Sequence, residues 1–365
     1  MANIFFGRGK KKTLVVESSD MGLRALSLEV TEESITIEKS FFSAWSLFLS
    51  QTEDDFTANL DTVMKSLTSY CSPKEYAVVY CCGDSSNWNQ WTQTGVIEDE
   101  EELEEYLLAK KIMRDQDVWI SEASILGPSI SEEKESQDVM VQMIRSQVAQ
   151  LAMDTIEEAG YELEAIEFLP NTFSSFYDYY CEEGRTNTDA LISIGWETSV
   201  LNIFHENQVR FSYCLNFRLS DYVILIMQKM QLDETSAMQI VYGELFEVVI
   251  NGSDSQSNIM PQIIDEVRVE LNCLIDEIQR AFAFYITKVV EWKIENIERI
   301  IFMGIELRIE PIYEYLKSQL RIPTVKIDPM NNVEYSVEAA SRIENDNSKD
   351  ILATSFGLAL RYVSS

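Results

Sequence analysis

The stretch Ala190-Leu191-Ile192-Ser193-Ile194-Gly195-Trp196-Glu197-Thr198-Ser199-Val200-Leu201-Asn202-Ile203-Phe204-His205 decides the fold. It reads as an apolar strand over 190–194, a turn over Gly195 to Thr198 and a second strand from Ser199 to His205. A third strand, Gln208 to Leu215, follows a turn at Asn207. The same order occurs near the start of the chain. Thr13-Leu14-Val15-Val16-Glu17 is a buried strand, and Ser18 to Gly22 is the turn. Leu23 to Val30 is the next strand, with Leu26, Leu28 and Val30 alternating, and Ile35-Thr36-Ile37 begins a third. Helices and further strands follow each unit, so a duplicated α/β core is the economical reading.

Working outward, residues 54–70 have helical spacing (Phe56, Leu60, Val63, Met64, Leu67), and Glu75 to Cys82 is a strand. Glu98 to Lys111 is a charged helix and Val118 to Ile125 another strand. The polar segment from Gly127-Pro128 to Gln137 is expected to be a mobile loop. Asp138 to Ile144 is a short strand, and Gln147 to Ala159 a helix capped by Gly160. Ile166 to Leu169 is strand-like and ends at Pro170, before a helix over 172–181. In the second half, helices cover Ser220 to Met230 and Glu234 to Glu244, the latter with Asp233 as N-cap, and a long amphipathic helix covers 262–291. Arg299 to Met303 is a buried strand turning at Gly304, Ile312 to Leu320 a helix, Pro323 to Ile327 a strand and Leu352 to Tyr362 a terminal helix. The expected division is a first core of 1–40 and 138–186 with an insert of 41–137, then a second core of 187–220 and 292–365 with a helical insert of 221–291.

Charge bounds the function. The chain carries 61 acidic against 29 basic residues, a net charge of −32. Such a surface repels nucleic-acid phosphates and disfavours direct contact with anionic lipid. No run reaches the ~18 apolar residues that a membrane span requires. The N-terminal Ile4-Phe5-Phe6 precedes Arg8 and Lys10 to Lys12, the reverse of a signal peptide, so a cytoplasmic location is expected. The six cysteines contain no CxxC pair and His205 is the only histidine, so no metal site and no nucleophilic pair is expected. Glu98 to Glu105 reads as a solvated helix face. Phe173, Phe176, Tyr177, Tyr179 and Tyr180 read as packing, and Trp88 and Trp91 as candidate exposed anchors.

Several stretches, in order and spacing, resemble the type IV pilus assembly protein PilM family and, more distantly, the cell-division protein FtsA. They are Leu23 to Leu28, Ala159-Gly160-Tyr161 with Ile166-Glu167, Ala190 to Leu201, and Glu277-Ile278-Gln279-Arg280 with Phe284-Tyr285. Arg299 to Gly304, Tyr315-Leu316, Ile322-Pro323 and Phe356 to Arg361 complete the set. The resemblance implies an actin-like ATPase fold, with two ribonuclease-H-like cores each carrying an inserted subdomain. It also places nucleotide, if any binds, against Glu17, Ser18, Ser19, Gly22 and Arg24 in the first half and Gly195, Thr198, Ser199 and Gly304 in the second.

This chain departs from the family pattern at those places. Glu17 stands where Asp is usual, and Ser19, Asp20 and Met21 where Gly and small hydroxyl residues are usual. Ser193 replaces the second Asp, Trp196 and Glu197 fill small-residue positions, Asn216 to Ser220 lacks paired glycines, and Ile305 and Glu306 replace glycines after Gly304. Like charges ~4 Å apart repel by about 4 kcal/mol at an effective dielectric of ~20, so Asp20, Glu197 and Glu306 oppose a triphosphate. No catalytic residue, no ATP hydrolysis and no cofactor is therefore expected. The opposing reading is that Mg²⁺ bridges those carboxylates and ATP still binds. By resemblance, the chain is a docking platform for the cytoplasmic tail of a PilN-like single-span inner-membrane protein, captured between the first core and its insert. It would join that protein to the pilus motor complex, with only indirect membrane contact. The rivals are an ATPase whose nucleotide state gates assembly, a type II secretion platform component and an FtsA-like tethered filament.

Overall fold

The structure, a computed structural model, describes residues 11–19, 22–31, 34–44, 53–82, 88–114, 118–130, 136–181, 186–196, 198–252, 258–304, 309–328, 333–343 and 353–363. Asp20, Met21, Glu197, Ile305 and Glu306 of the expected cleft lie outside them, as does the start of the chain through Lys10.

The chain begins with an antiparallel meander: β1 (Lys12–Ser19), β2 (Gly22–Val30) and β3 (Ile35–Ala44). α1 (Glu53–Tyr70) then leads to β4 (Tyr76–Cys82), which lies parallel to β1. A separate unit follows: β5 (Trp88–Gly95), α2 (Glu100–Ala109), β6 (Trp119–Pro128) and β7 (Ser136–Arg145). Its antiparallel sheet has the order β5-β7-β6, and Val139, Val141 and Met143 of β7 pack against Leu103 and Leu107 of α2. α3 (Ser146–Glu158) and β8 (Glu162–Glu167), parallel to β4, return the chain to the first core, and α4 (Leu169–Tyr180) leaves it.

The second half repeats the plan with β9 (Thr188–Ser193), β10 (Ser199–His205) and β11 (Gln208–Leu215). β9 is buried along its whole length and β10 up to His205, so each reads as a continuous apolar run rather than an alternating one. α5 (Leu219–Met230), α6 (Glu234–Ile240), a π turn over Val241–Leu245, α7 (Phe246–Asn251) and α8 (Pro261–Phe284), which ends in a second π turn over Tyr285–Val289, build the helical side. β12 (Arg299–Phe302), α9 (Glu310–Leu320) and β13 (Thr324–Lys326) close the second sheet in the order β11-β10-β9-β12-β13. β14 (Glu334–Tyr335), α10 (Val337–Ile343) and α11 (Ala353–Val363) then cross back, and β14 pairs with β3. The first sheet is thus β14-β3-β2-β1-β4-β8. Apart from β14, both sheets have the same order of meander, parallel fourth and parallel fifth strand, the duplication expected from 13–37 and 190–215.

Pairing moves the expected boundaries. α1 and β4 belong to the first core and not to an insert, because β4 bonds to β1 along its length; β7, assigned to the core, is the central strand of the insert. The segment after β13 belongs to the first core and not to the second. Pro170 does not end a strand but sits in the first turn of α4, where its missing N–H costs nothing. Gly127 and Pro128 lie at the end of β6, past a bulge, and not in a loop; residues 131–135 lie outside the described set.

Between the two sheets lies one shared core. Val15, Leu26 and Val79 of the first sheet and Leu191, Val200 and Ile301 of the second enclose Phe173 and Tyr177 of α4 and Phe356 and Leu358 of α11. The aromatic cluster is therefore packing, with Tyr179 left at the surface. Gly357 marks the crossing of the two helices: a Cβ there would lie 2.6 Å from the Thr172 carbonyl oxygen.

Candidate functional site: the cleft between the two sheets

The register of the first hairpin sets the first half of the cleft. Ser19 faces Gly22 across the turn, so Glu17 stands directly opposite Arg24. Both are buried, and Arg24 Nη1 donates to Glu17 Oε1 at 2.9 Å. The other carboxylate oxygen, Oε2, accepts from Ser355 Oγ at 2.7 Å. Ser355 lies in the first turn of α11, so that helix closes over the Glu17 carboxylate. The Ser18 hydroxyl, on the opposite face of β1, bonds to the Tyr80 hydroxyl in the core. Gly22 is buried at the start of β2; the Ser19 side chain is outside what the structure describes.

A pinched turn forms the second half. Ser199 Oγ is fully buried; it accepts from Gly195 N–H at 3.1 Å and donates to the Phe217 carbonyl at 2.6 Å. A Cβ on Gly195 would lie 2.2 Å from the Thr198 carbonyl oxygen, so only glycine fits. The turn also covers the start of α5. Leu219 N–H donates to Gly195 O and Ser220 N–H to Trp196 O, while Asp221 N–H goes to Arg218 O. A helix N-terminus is the usual anion site, because its first N–H groups lack intrahelical partners. Here protein carbonyls hold all three. Trp196 is buried edge-on to Tyr242, with ring centroids 5.4 Å apart. Thr198 and Gly304 are half-buried at the rim.

α11 is fixed at its far end as well. Glu167, at the end of β8, accepts from Tyr362 Oη at 2.5 Å and Asn171 Nδ2 at 3.0 Å, and pairs with Arg361 Nε at 3.3 Å. At the base of β9, burial alone would raise the Asp189 carboxyl, but hydrogen bonds from Arg299, Thr186 and Tyr177 hold it below the ordinary carboxylate range. No group of three His, Cys, Asp or Glu placed to hold a metal occurs among the described residues. His205 ends β10 with Nδ1 3.0 Å from Thr188 Oγ1, a structural position. The cysteines Cys71, Cys81 and Cys181 are buried, and burial raises the Cys71 thiol to about 12.

The expected residues lie on the β1–β2 hairpin (Glu17 to Arg24), at the β9–β10 connection (Gly195 to Ser199) and after β12 (Gly304), and Glu17, Arg24, Gly195 and Ser199 bond within the protein. Sequence reasoning missed Ser355, Asn171, Glu167 and Tyr362, which tie the terminal helix to the first core. It also placed Trp91 as an exposed anchor, whereas it is half-buried and lies edge-on to Phe284 at the end of α8, ring centroids 6.2 Å apart. The Trp88 side chain is outside the described set. α2 does present Glu100, Glu101, Glu102, Glu104 and Glu105 to solvent over buried Leu103 and Leu107.

The sequence matches the family described as type IV pilus assembly protein PilM over residues 121–363, about two thirds of the chain. The chain belongs to that family. Among solved structures it is similar to a PilM-PilN type IV pilus biogenesis complex, at a TM-score of 0.74 and 17% identity, covering 96% of this chain and 98% of that one. An actin-like ATPase-fold protein of unknown function from Bacteroides thetaiotaomicron matches at a TM-score of 0.44 and 13% identity, over 88% and 93% of the two chains. The ethanolamine utilization protein EutJ from Carboxydothermus hydrogenoformans matches at 0.47 and 9%, over 97% and 90%. A comparison with curated proteins gives no match. The fold of this PilM-family protein is actin-like, as the duplicated cores indicated, and no helix among its described residues is long and apolar enough to cross a membrane.

Proposed function

We propose that this PilM-family chain is a docking platform that has given up ATP turnover and captures the cytoplasmic tail of a PilN-like inner-membrane protein. The observation that carries the first half is the state of Glu17. Both oxygens of the acid that would serve a bound cation are spent on Arg24 and Ser355. The Ser199 clasp and the covered start of α5 add to it, since they leave few backbone donors for phosphate. With Gly357 packed on Thr172 and α11 tied at both ends, nucleotide-driven closure of the lobes has little room to act.

Support for the second half comes from the surface where β6 approaches Glu167 and Arg361 of the first core. On the face of β6 turned to the core, Ile120 is exposed. On the same face Glu122 is exposed, and partial loss of solvent together with the nearby charge of Glu167 raises its carboxyl, against the opposing pull of Arg361. An extended tail with apolar side chains and basic residues suits such a surface, and the acidic charge of the chain favours its approach. The partner named for the similar structure, PilN, fits that description as a membrane-anchored tail. Contact with the membrane and with the pilus motor then runs through this partner.

The test is titration of the chain with a labelled peptide copying the cytoplasmic N-terminus of a PilN-like protein from the same organism. Saturable binding that weakens several-fold in Glu122→Lys, and more so at low salt, is expected. Absence of binding, or equal binding by Glu122→Lys, overturns the assignment of this surface.

A further inference from the structure

The insert is joined by the chain only to the first core, yet it rests on the second. From β5, Asn89 Nδ2 reaches Ser212 Oγ of β11 at 3.3 Å and Cys214 Sγ at 3.6 Å. From β11, Arg210 Nη1 reaches the carbonyls of Leu126 and Pro128 on β6 at 2.9 and 3.3 Å. Arg210 passes over Gly127, where a Cβ would lie 3.1 Å from its Nη1; Gly127 is also at φ +116°. Opposite Gly127 in the ladder stands Asp138 of β7.

Asp138 is wholly buried at this seam, and neither carboxylate oxygen has a partner in ordinary hydrogen-bond geometry, although the Ser129 hydroxyl lies close enough to act on it. The groups around it are mismatched. Arg210 gives its Nη1 to carbonyls and leaves its buried Nε without a partner, and the Tyr285 hydroxyl is buried and unpaired as well. Gln93 of β5 stands opposite in the ladder and Ser129 follows β6. A buried, unpaired carboxylate is costly, and taking up a proton relieves that cost and makes the group a donor.

We propose that the seam between the insert and β11 is a proton-linked latch, in which Asp138 is the switch and Arg210 the tether. This stands apart from the peptide-capture reading. Burial pushes the Asp138 carboxyl up to about 6, against the opposing pull of Arg210 and the Ser129 hydroxyl. Releasing the insert returns it to water and to its ordinary 3.8. The docked form therefore holds a proton that the released form gives up, and docking tightens as pH falls through about 6. With these two values, linkage makes the docking equilibrium roughly fourfold more favourable at pH 5.5 than at pH 7.5.

Hydrogen–deuterium exchange on the full chain tests the latch, with exchange times rescaled for the intrinsic pH dependence. Peptides spanning 88–95 and 136–145 are expected to be several-fold better protected at pH 5.5 than at pH 7.5, while 299–302 in the second sheet stays unchanged. Asp138→Asn should show the protected pattern at both pH values, and Arg210→Met should lower protection at both. Wild-type protection that does not change with pH, or an unaltered pH dependence in Asp138→Asn, overturns the proposal.

Discussion

Replacing Arg24 by methionine removes the cation from a carboxylate that is only 3% exposed. Glu17 Oε1 loses its 2.9 Å bond, while Oε2 keeps Ser355 alone. Breaking a buried pair from one side costs about 3–5 kcal/mol, because the remaining charge has no solvent to turn to. Glu17→Gln combined with Arg24→Met removes both charges at nearly constant volume and should recover half or more of that loss. Differential scanning fluorimetry of the wild type and the two variants, with urea unfolding followed by circular dichroism, reads the effect. The single variant should melt several degrees below the wild type, with the double variant between them. Magnesium should leave the wild type and the double variant unmoved, since the carboxylate is spent in the one and absent from the other. A single variant that melts with the wild type, or a double variant that melts no higher than the single one, would refute the pairing argument.

Three further outcomes follow from the same geometry. Gly195→Ala forces a Cβ to 2.2 Å from the Thr198 carbonyl oxygen, so the turn must open and stability should fall by about 1–3 kcal/mol, read by urea midpoint. Gly357→Val pushes α4 and α11 apart at Thr172 and should lower the melting temperature without changing the helical circular dichroism signal. Asp138 binds its proton more tightly folded than unfolded, so its contribution favours folding below about pH 4 and is lost as pH rises through about 6. Asp138→Asn should therefore be the more stable protein at pH 7.5, by up to about 3 kcal/mol, and the gap should shrink as pH is lowered through 6.

Much of the fold was legible because it is written twice. The apolar runs at 14–16 and 190–194, each followed by a short turn and two more strands, mark the cores without any long-range information. The insert boundary was not legible. A helix and strand after a meander, as at 53–82, read equally well as an insert or as the next parallel strand of the core, and only the bonding of β4 to β1 separates the two. At the cleft, Trp196 and Glu17 were visible as misfits. That Glu17 meets Arg24 depends on a hairpin register that turns on one residue of loop length, and its bond to Ser355 spans 338 positions. Asp138 looked like an ordinary strand start, because its burial comes from β11, an element of the other lobe.

The most direct measurement is isothermal titration of the purified chain with ATP in the presence of magnesium, at concentrations that resolve micromolar binding. The account predicts no saturable heat, because Glu17, Ser199 and the first N–H groups of α5 already have protein partners. A well-defined isotherm with micromolar affinity would contradict it.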